Sequence, residues 1–379
     1  MTTAIGGVAA PGFERVRDQF AANFERDDAY QEFGASLAVY QGEALVVDLW
    51  CGWRDARKTM PWTPDTLVNV WSTTKGVTAI AVARLVDQGR LDYAAPVARY
   101  WPEFAQNGKA AITVSQLLSH QAGLPGFTEP TPLEDFYNWE TVARRLAAQA
   151  PLWEPGTKNS YHAMTFGFLA GELIRRASGL GVGQFLAREV AGPLGADIFI
   201  GLPEAEERRV SPLIAPRITA PFDLDAMAPE AAAAVTNPLM TPTLPNDRAW
   251  RAAEIPAGNG HATARGLARL YAAVANGGSL DGVRLMGPET VEAMIDVQTE
   301  RVDILLGVPP RWGRGVTRNA IGIYGPEPAA FGHAGWGGSF GCGDTKAKVA
   351  IGYVLNQMGD RVVGDPRSTG LCEAVYACL

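Results

Sequence analysis

Residues 68–89, VNVWSTTKGVTAIAVARLVDQG, contain the strongest structural signal in the chain. From Thr73 to about Gln88 the residues are apolar on most sides, which is typical of a helix buried in the centre of a protein. Gly89 is placed to end this helix. Ser72 and Lys75 stand at its beginning, and residues three positions apart lie on one face of a helix. The segment therefore predicts a central helix whose first turn carries both side chains.

Around this helix the sequence alternates between strand-like and helical patterns. Apolar runs at 34–40 and 43–50, joined by Gln41-Gly42, are typical of a hairpin, and residues 349–355 form a further apolar strand. Helical patterns occupy 139–150, 163–177 and 263–275, and a last helix is expected from about Ser368. Residues 201–255 are rich in Pro, Ala and Asn and have little periodicity, which indicates a long loop region that shapes a cleft.

Strands near both ends of the chain, with helices between them, predict an α+β fold. We expect one antiparallel sheet flanked by helices, with an inserted, mainly helical lobe. The sheet lobe would comprise residues 1–70 and 256–379. The helical lobe, including the cleft-shaping loop region, would comprise residues 71–255.

Composition excludes several classes of protein. With 47% hydrophobic residues in 379, the chain is too apolar for disorder, and its net charge of −7 offers no basic field for nucleic acid. No apolar run reaches the length of about 18 residues that indicates a membrane span. The first residues, MTTAIGGVAAPG, lack the basic and apolar regions of a secretory signal, which predicts a cytoplasmic protein.

Histidine and cysteine are too sparse for a typical metal site. The chain has four of each, and no two cysteines form a CxxC pair. We therefore expect reduced thiols and no bound metal ion, with a disulfide between Cys372 and Cys378 as the alternative.

The Ser72–Lys75 pair has the residue types needed for nucleophilic catalysis. A serine hydroxyl reacts only when a base removes its proton, and a lysine can do so if burial and nearby positive charge lower its pKa. The beginning of a helix supplies such a positive end, and its free N–H groups can stabilise an oxyanion. The alternative is a serine that caps the helix, followed by a solvated lysine. The apolar flanks favour a buried lysine.

Two other segments could complete such a site. Tyr161, just before a predicted helix, could relay a proton between nucleophile and leaving group, although it could also simply pack there. Residues 332–339, GHAGWGGS, are dense in glycine, which lets a backbone approach another group closely. The Trp336 amide would then be a second oxyanion donor opposite the Ser72 amide. The alternative for this segment is a glycine-rich turn without chemistry.

A competing motif, G-x-S-x-G, occurs at residues 337–341 with Ser339 at its centre. The nucleophile of an α/β-hydrolase requires a strand, a sharp turn and then a helix, with a histidine further along the chain. Here a turn and a β-like run follow, and no histidine lies beyond His333. Ser339 is therefore rejected as the nucleophile.

Four motifs in order resemble the signatures of one family, over roughly residues 34–355. The chain is similar to the serine β-lactamase and penicillin-binding-protein superfamily, in its class C-like branch, and within that branch most similar to the family VIII carboxylesterases. The stretches that carry the resemblance are DTLVNVWSTTKGVTAIAVARLVDQGRLDYAAPVARYWPEF (65–104), LLSHQAGLP (117–125), WEPGTKNSYHAMTFGFLAGEL (153–173) and FGHAGWGGSFG (331–341).

The resemblance implies roles for individual residues. Ser72 would be the acylated nucleophile, Lys75 its activating base, and Tyr161 the tyrosine of the Y-x-N motif. The backbone amides of Ser72 and Trp336 would form the oxyanion hole. His333 would begin the segment that replaces the family's K-T-G motif.

Two departures from the family pattern bear on the substrate. Y-x-N is Tyr161-His162-Ala163 here, so the amide that contacts an acylamide side chain is missing. K-T-G is His333-Ala334-Gly335, which offers a substrate carboxylate neither a lysine charge nor a threonine hydroxyl. Both changes favour neutral esters over β-lactams and peptides.

These observations predict a serine hydrolase that cleaves short-chain carboxylic esters through an acyl-enzyme on Ser72. The expected partner is a small ester, with weak hydrolysis of β-lactams as a side activity, and no cofactor or nucleic acid is expected. A β-lactamase or DD-peptidase-like hydrolase, an acyltransferase with the same site and a non-catalytic scaffold are the alternatives. The predicted substrate-binding residues are His333, Gly335, Trp336, His162 and Trp71.

Overall fold

The computed structural model describes residues 4–218 and 226–379, which form three β-sheets and the helices around them. The strands are β1 (Gly6–Ala9), β2 (Gly34–Gln41), β3 (Ala44–Gly52), β4 (Val68–Asn69), β5 (Ile198–Phe199), β6 (His261–Ala262), β7 (Ser279–Leu280), β8 (Val283–Arg284), β9 (Thr317–Arg318), β10 (Phe331–Ala334), β11 (Phe340–Asp344) and β12 (Val349–Leu355).

The helices lie mainly between β3 and β9 in the chain. They are α1 (Glu14–Glu25), α2 (Thr73–Asp87), α3 (Val114–Leu118), α4 (Trp139–Ala148), α5 (Thr165–Ser178), α6 (Val182–Leu186), α7 (Gly192–Leu194), α8 (Pro229–Thr236), α9 (Arg248–Ala252), α10 (Ala264–Ala275), α11 (Pro288–Ile295) and α12 (Pro366–Tyr376).

The large sheet takes strands from both ends of the chain. Its seven strands are antiparallel, in the order β1-β3-β2-β12-β11-β10-β9. The central pairing joins β2 to β12, from Gln41 opposite Val349 to Ala35 opposite Leu355. This topology confirms the predicted α+β fold with an antiparallel sheet built from both chain ends.

Both faces of this sheet are covered, which explains why its central strands are almost wholly apolar. Along β12, Ala350 and Val354 pack into one core with α10, while Ile351 and Tyr353 pack into a second core with α1 and α12. Because successive side chains of a strand alternate between faces, one apolar run serves two cores.

Helix α2 lies between the large sheet and helix α5, and nearly all of its side chains are buried. It approaches the sheet closely because Gly76 has no side chain. A Cβ atom at this position would lie 2.0 Å from the Tyr271 hydroxyl and 3.1 Å from the Cβ of His333. The sheet thereby brings β10 against the first turn of α2.

Of three sequence-based expectations, the structure corrects the first, leaves the second untested and agrees with the third. Residues 201–255 are not one irregular loop, because they contain α8 and α9; residues 219–225 lie outside the described part of the chain. The three-stranded sheet β4-β6-β5 takes strands from both predicted lobes, so the division at residues 70 and 256 remains a prediction. Cys372 lies beside Cys342 in the core, and none of the four cysteines is in a disulfide.

Within the described ranges, no helix has both the length and the apolar composition needed to cross a membrane.

Candidate active site

The chain enters helix α2 through a strained turn at Trp71. The φ angle of Trp71 is 43°, a left-handed conformation that costs a non-glycine residue about 1–2 kcal/mol. Its N–H donates to Asn69 Oδ1 at 3.0 Å, and its carbonyl accepts the Thr74 hydroxyl at 2.5 Å. Asn69 in turn donates to the Gly258 carbonyl at 3.1 Å. These bonds hold a conformation that the chain would otherwise avoid, as is common at functional sites.

Ser72 follows this turn and remains half-buried, whereas Trp71, Thr73, Thr74 and Lys75 around it are buried. Its side chain does not cap the helix. Instead, Ser72 Oγ accepts a hydrogen bond from Lys75 Nζ at 3.0 Å. The hydroxyl can therefore be reached from outside while it contacts an amine inside the protein.

Lys75 is fully buried, and its Nζ also donates to the carbonyl of Ala257 at 2.9 Å. Burial lowers the pKa of this amine well below its usual range, because the charged form loses its hydration. No carboxylate among the described residues forms an ion pair with it. A neutral fraction of Lys75 thus faces Ser72 and can accept its proton.

Tyr161 is the third predicted catalytic residue, and the structure brings it to the same place. Lys75 Nζ lies 4.7 Å from the centroid of the phenol ring. Burial raises the pKa of Tyr161, although its interaction with the Ser72 hydroxyl acts in the opposite direction. The phenol therefore stays protonated at neutral pH and is suited to donating a proton rather than to acting as a phenolate base.

The glycine-rich segment packs against the beginning of α2. A Cβ atom at Gly335 would lie 2.2 Å from the carbonyl oxygen of Val70, so only glycine fits at this contact. The Gly335 N–H donates to Ser339 O at 2.7 Å, which makes it a structural group rather than a substrate donor. Within the described chain, the N–H groups of Ser72 and Trp336 have no acceptor. The oxyanion hole formed by these two amides remains a prediction.

Arg367, which the sequence analysis missed, supports this segment from behind. It is fully buried in α12, and its guanidinium donates to the carbonyls of Gly337 at 2.9 Å and Gln357 at 2.8 Å. Asp365 and Glu32 balance its charge, at 2.8 and 3.2 Å. No sequence motif marks this arginine, because it belongs to a helix far from the segment it holds.

His333, predicted to stand where the family has its motif lysine, is a neutral side chain in the buried site. Its Nδ1 lies 2.8 Å from the Ala334 carbonyl, so Nδ1 carries the proton and Nε2 is an acceptor, one that has no partner among the described residues. Burial is the main cause that lowers the pKa of His333 to about 3, and the nearby Lys75 contributes as a second cause. The site therefore presents a neutral acceptor where a lysine would present a cation.

Two predicted substrate-binding residues have other contacts. His162 is fully buried: Nδ1 donates to Ser160 O at 2.7 Å, and Nε2 accepts the Leu124 N–H at 3.1 Å. It therefore holds the 117–125 segment and has no free nitrogen for a substrate, contrary to the prediction. Trp71 is only 3% exposed, and its ring packs between Trp250 and Trp336, so we assign Trp71 a packing role.

Ser339, which was rejected as the nucleophile, is buried and followed directly by strand β11 rather than a helix. Its hydroxyl donates to the Val70 carbonyl at 2.9 Å and lies 3.2 Å from the Thr73 hydroxyl. It therefore ties the strand to the beginning of α2.

A small pocket opens beside Tyr161 and His333. Its free volume is about 30 Å³, which is room for about two water molecules. Most of its wall is apolar and comes from segments in which the sequence analysis identified no site residue: Leu306, Val308, Pro310, Ile321, Ile323, Val362 and Val363. The same wall includes one cationic side chain, Arg318.

A half-buried serine in contact with a buried lysine, beside a tyrosine and two free amides, defines a candidate serine hydrolase. The chain belongs to the β-lactamase family, whose family model matches residues 20–371. It is 38% identical to the esterase/β-lactamase LipL of Mycobacterium tuberculosis over 363 residues, which cover 93% of this chain and 83% of that protein.

Solved structures extend the similarity to the whole fold. A family VIII carboxylesterase superimposes with a TM-score of 0.94 at 47% identity, and a penicillin-binding protein homologue from Caulobacter crescentus with 0.93 at 44%. Each match covers all of both chains. The family resemblance predicted from the motifs is confirmed, and the protein is a hydrolase of the esterase/β-lactamase family.

Proposed function

We propose that this protein hydrolyses short-chain carboxylic esters through an acyl-enzyme on Ser72. The observation that carries the proposal is the 3.0 Å contact between the buried Lys75 amine and the half-buried Ser72 hydroxyl. In this contact, a nucleophile that is accessible to substrate lies beside a base whose pKa is lowered by burial. The esterase activity named for LipL and the carboxylesterase neighbour support the same reaction class.

In acylation, neutral Lys75 accepts the Ser72 proton while Oγ attacks the ester carbonyl. The negative charge that develops on the carbonyl oxygen is stabilised by the N–H groups of Ser72 and Trp336. As the tetrahedral intermediate collapses, Tyr161 gives its proton to the departing alcohol. The proton held by Lys75 then returns to Tyr161, so the site regains its starting protonation state.

Deacylation repeats these steps with water in place of the alcohol. Water enters beside Tyr161 and Lys75, loses a proton to this pair and attacks the acyl carbon. The second tetrahedral intermediate expels Ser72 Oγ, which takes the proton back. The acid leaves, and no metal ion or organic cofactor takes part in the proposed cycle.

The substrate class follows from the charge and size of the site. Neutral His333 cannot pair with a substrate carboxylate, since it offers an acceptor and no positive charge. The adjoining pocket of about 30 Å³ is small and mostly apolar, with Arg318 as a cation in its wall. The loss of the motif lysine and the small, mostly apolar pocket together favour small neutral esters over anionic β-lactams and peptides. The predicted cytoplasmic location remains an expectation from the sequence.

β-Lactam hydrolysis is a second candidate function, favoured by the family match and by the double name of LipL. Turnover of nitrocefin and of p-nitrophenyl acetate by the same preparation separates the two. We expect the ester to dominate by kcat/KM. A dominant nitrocefin rate would overturn the esterase assignment while leaving the acyl-enzyme intact.

The replaced K-T-G motif gives a direct test of this preference. In the double variant His333→Lys/Ala334→Thr we expect the ratio of nitrocefin to ester turnover to rise about 10-fold, because a charge-assisted hydrogen bond to the substrate carboxylate is restored. Ala334→Thr alone is the control, since it adds the hydroxyl without the charge. An unchanged ratio in the double variant would contradict the role given to His333.

Tyr161→Phe tests the proton carrier. We expect kcat for an alkyl ester to fall by ~10²–10³-fold, because general-acid assistance to the alcohol is lost. The stability should change little, since the Tyr161 hydroxyl interacts with the half-buried Ser72 hydroxyl and has no well-aligned hydrogen bond to any other described group. Thermal melting and steady-state kinetics measure both quantities.

Tyr271→Phe is the matched control for this variant. Tyr271 is also buried near α2, and its hydroxyl interacts with the backbone of His333 rather than with Ser72. Removal of the Tyr271 hydroxyl should change kcat less than twofold. Equal losses in both variants would mean that Tyr161 contributes packing and not proton transfer.

A further inference from the structure

A buried carboxylate, Asp303, lies directly behind Tyr161. It belongs to the loop between α11 and β9, which the sequence analysis did not connect with the site. Its side chain is fully buried. Oδ1 accepts the backbone N–H of Tyr161 at 2.9 Å, together with the N–H groups of Leu305 at 3.0 Å and Leu306 at 3.1 Å.

The second oxygen of this carboxylate binds two side chains. Oδ2 accepts the indole N–H of Trp312 at 3.1 Å and the side-chain amide of Asn159 at 3.2 Å. No described cation forms an ion pair with Asp303, so these five N–H donors alone compensate the buried charge. Burying a carboxylate without a cation costs free energy through desolvation. We therefore infer that Asp303 does more than fill space in the core.

Trp312 carries the influence of Asp303 to the phenol ring. The indole stacks on Tyr161 with ring centroids 5.7 Å apart and planes at 2°. Asp303 therefore holds Tyr161 at two points, at its backbone N–H directly and at its ring through Trp312. A small rotation of the ring would move the hydroxyl away from Ser72.

Asp303 also supplies a negative charge near the phenol. Other titratable groups near the Tyr161 ring in the described chain are Lys75 of α2, His333 of β10 and His120 of the 117–125 segment, and Arg318 of β9 lines the same pocket. Burial holds the pKa of each of these four groups below its usual range. Burial is the main cause of the raised pKa of Tyr161, and the charge of Asp303 raises it further.

We propose that Asp303 is a positioning residue for proton transfer, which holds the Tyr161 ring beside Ser72 and Lys75 through the Trp312 indole and the Tyr161 N–H. The inference rests on the proposed function. In the step it serves, the O–H bond of Tyr161 breaks, a new O–H bond forms on the departing alcohol, and the ammonium proton of Lys75 restores the phenol. Lys75 is then the base, and Tyr161 the acid.

The leaving group provides the test. A p-nitrophenolate leaves without a proton, whereas an alkoxide requires one. In Asp303→Asn, the new amide N–H₂ would face the N–H donors of Trp312 and Asn159, and the charge would be lost. We expect kcat/KM for an alkyl acetate to fall ~100-fold and that for p-nitrophenyl acetate less than ~5-fold.

Two further variants test whether the ratio of alkyl to aryl ester kcat/KM depends on the support of Tyr161. Trp312→Phe keeps a stacked ring but loses the indole hydrogen bond to Asp303. It should reduce alkyl ester turnover about 10-fold and, like Asp303→Asn, affect the aryl ester less. Asp344→Asn is the control: Asp344 is also a fully buried carboxylate, bound by Lys346 N, Ala347 N and the Tyr376 hydroxyl, and it lies outside the site. Its loss should leave the alkyl-to-aryl ratio unchanged.

Equal losses for alkyl and aryl esters in Asp303→Asn would overturn the proposal and leave a structural role only. If Asp303→Asn does not fold, the ratio of alkyl to aryl ester turnover in Trp312→Phe decides whether Asp303 positions Tyr161. The proposed function fails separately, by the absence of an acyl adduct on Ser72.

Discussion

Replacing Ser72 with alanine is expected to lower kcat for p-nitrophenyl acetate by about 10⁵-fold and to abolish the acyl adduct seen by intact-mass analysis. The covalent route requires the Oγ atom, and the residual rate would come from the oxyanion donors alone. The fold should survive, because Ser72 is half-buried and Lys75, which loses its hydrogen bond to Ser72, keeps its hydrogen bond to Ala257 O.

Ser339→Ala is the comparison that makes this experiment specific. It removes the hydroxyl of the competing G-x-S-x-G motif, so the two serines are tested as alternative nucleophiles. The adduct should still form in this variant, although more slowly, since Ser339 ties β11 to the beginning of α2. Substantial esterase activity in Ser72→Ala, or an adduct on Ser339, would refute the assignment.

Lys75→Met is expected to reduce kcat by ~10³–10⁴-fold and yet to increase stability. Methionine has a similar length and no base, so Ser72 loses its proton acceptor. Removing a buried amine also removes its desolvation cost. We expect the free energy of unfolding to rise by ~1–2 kcal/mol at pH 7, with part of the gain offset by the unpaired carbonyl of Ala257.

The stability gain should depend on pH in a defined direction. Because burial lowers the pKa of Lys75, the unfolded chain binds a proton at neutral pH that the folded protein binds less well. The wild type is therefore destabilised as the pH falls below about 10.4, the usual lysine pKa. The advantage of Lys75→Met should shrink between pH 7 and 9.5, as measured by chemical denaturation.

Lys109→Met is a matched control for a buried lysine. Lys109 also has no exposed surface, and its Nζ binds the carbonyls of Gln106 and Gln149, away from the site. This variant should keep full esterase activity. A loss in Lys109→Met equal to that in Lys75→Met would mean that the effect is general destabilisation rather than loss of the base.

Several elements could be predicted because their signals are local. The runs of α2 and β12 contain enough apolar residues to specify a buried helix and a buried strand. The i, i+3 spacing places Lys75 one turn from Ser72 in any helix that begins there. Arg367 and Asp303 carried no comparable signal, since each acts on a segment distant in the chain.

Adjacency in the sequence did not show whether two residues enter the same site. Tyr161 and His162 are adjacent, and both were predicted to line the site, but His162 binds Ser160 O and Leu124 N instead. Whether a side chain enters a cleft depends on the local backbone conformation, which the order of residues in a loop does not specify.

The sequence by itself determined the family, the α+β class and the Ser72–Lys75 pair, because each depends on motifs or on spacing within one element. Only the tertiary structure decided what surrounds that pair: the uncharged His333, the free amide of Trp336 and the Asp303–Trp312 support of Tyr161. These groups come from segments far apart in the chain. Their convergence depends on sheet pairing and on the close packing of α2 against β10, and burial in the folded state sets the charges of Lys75 and His333.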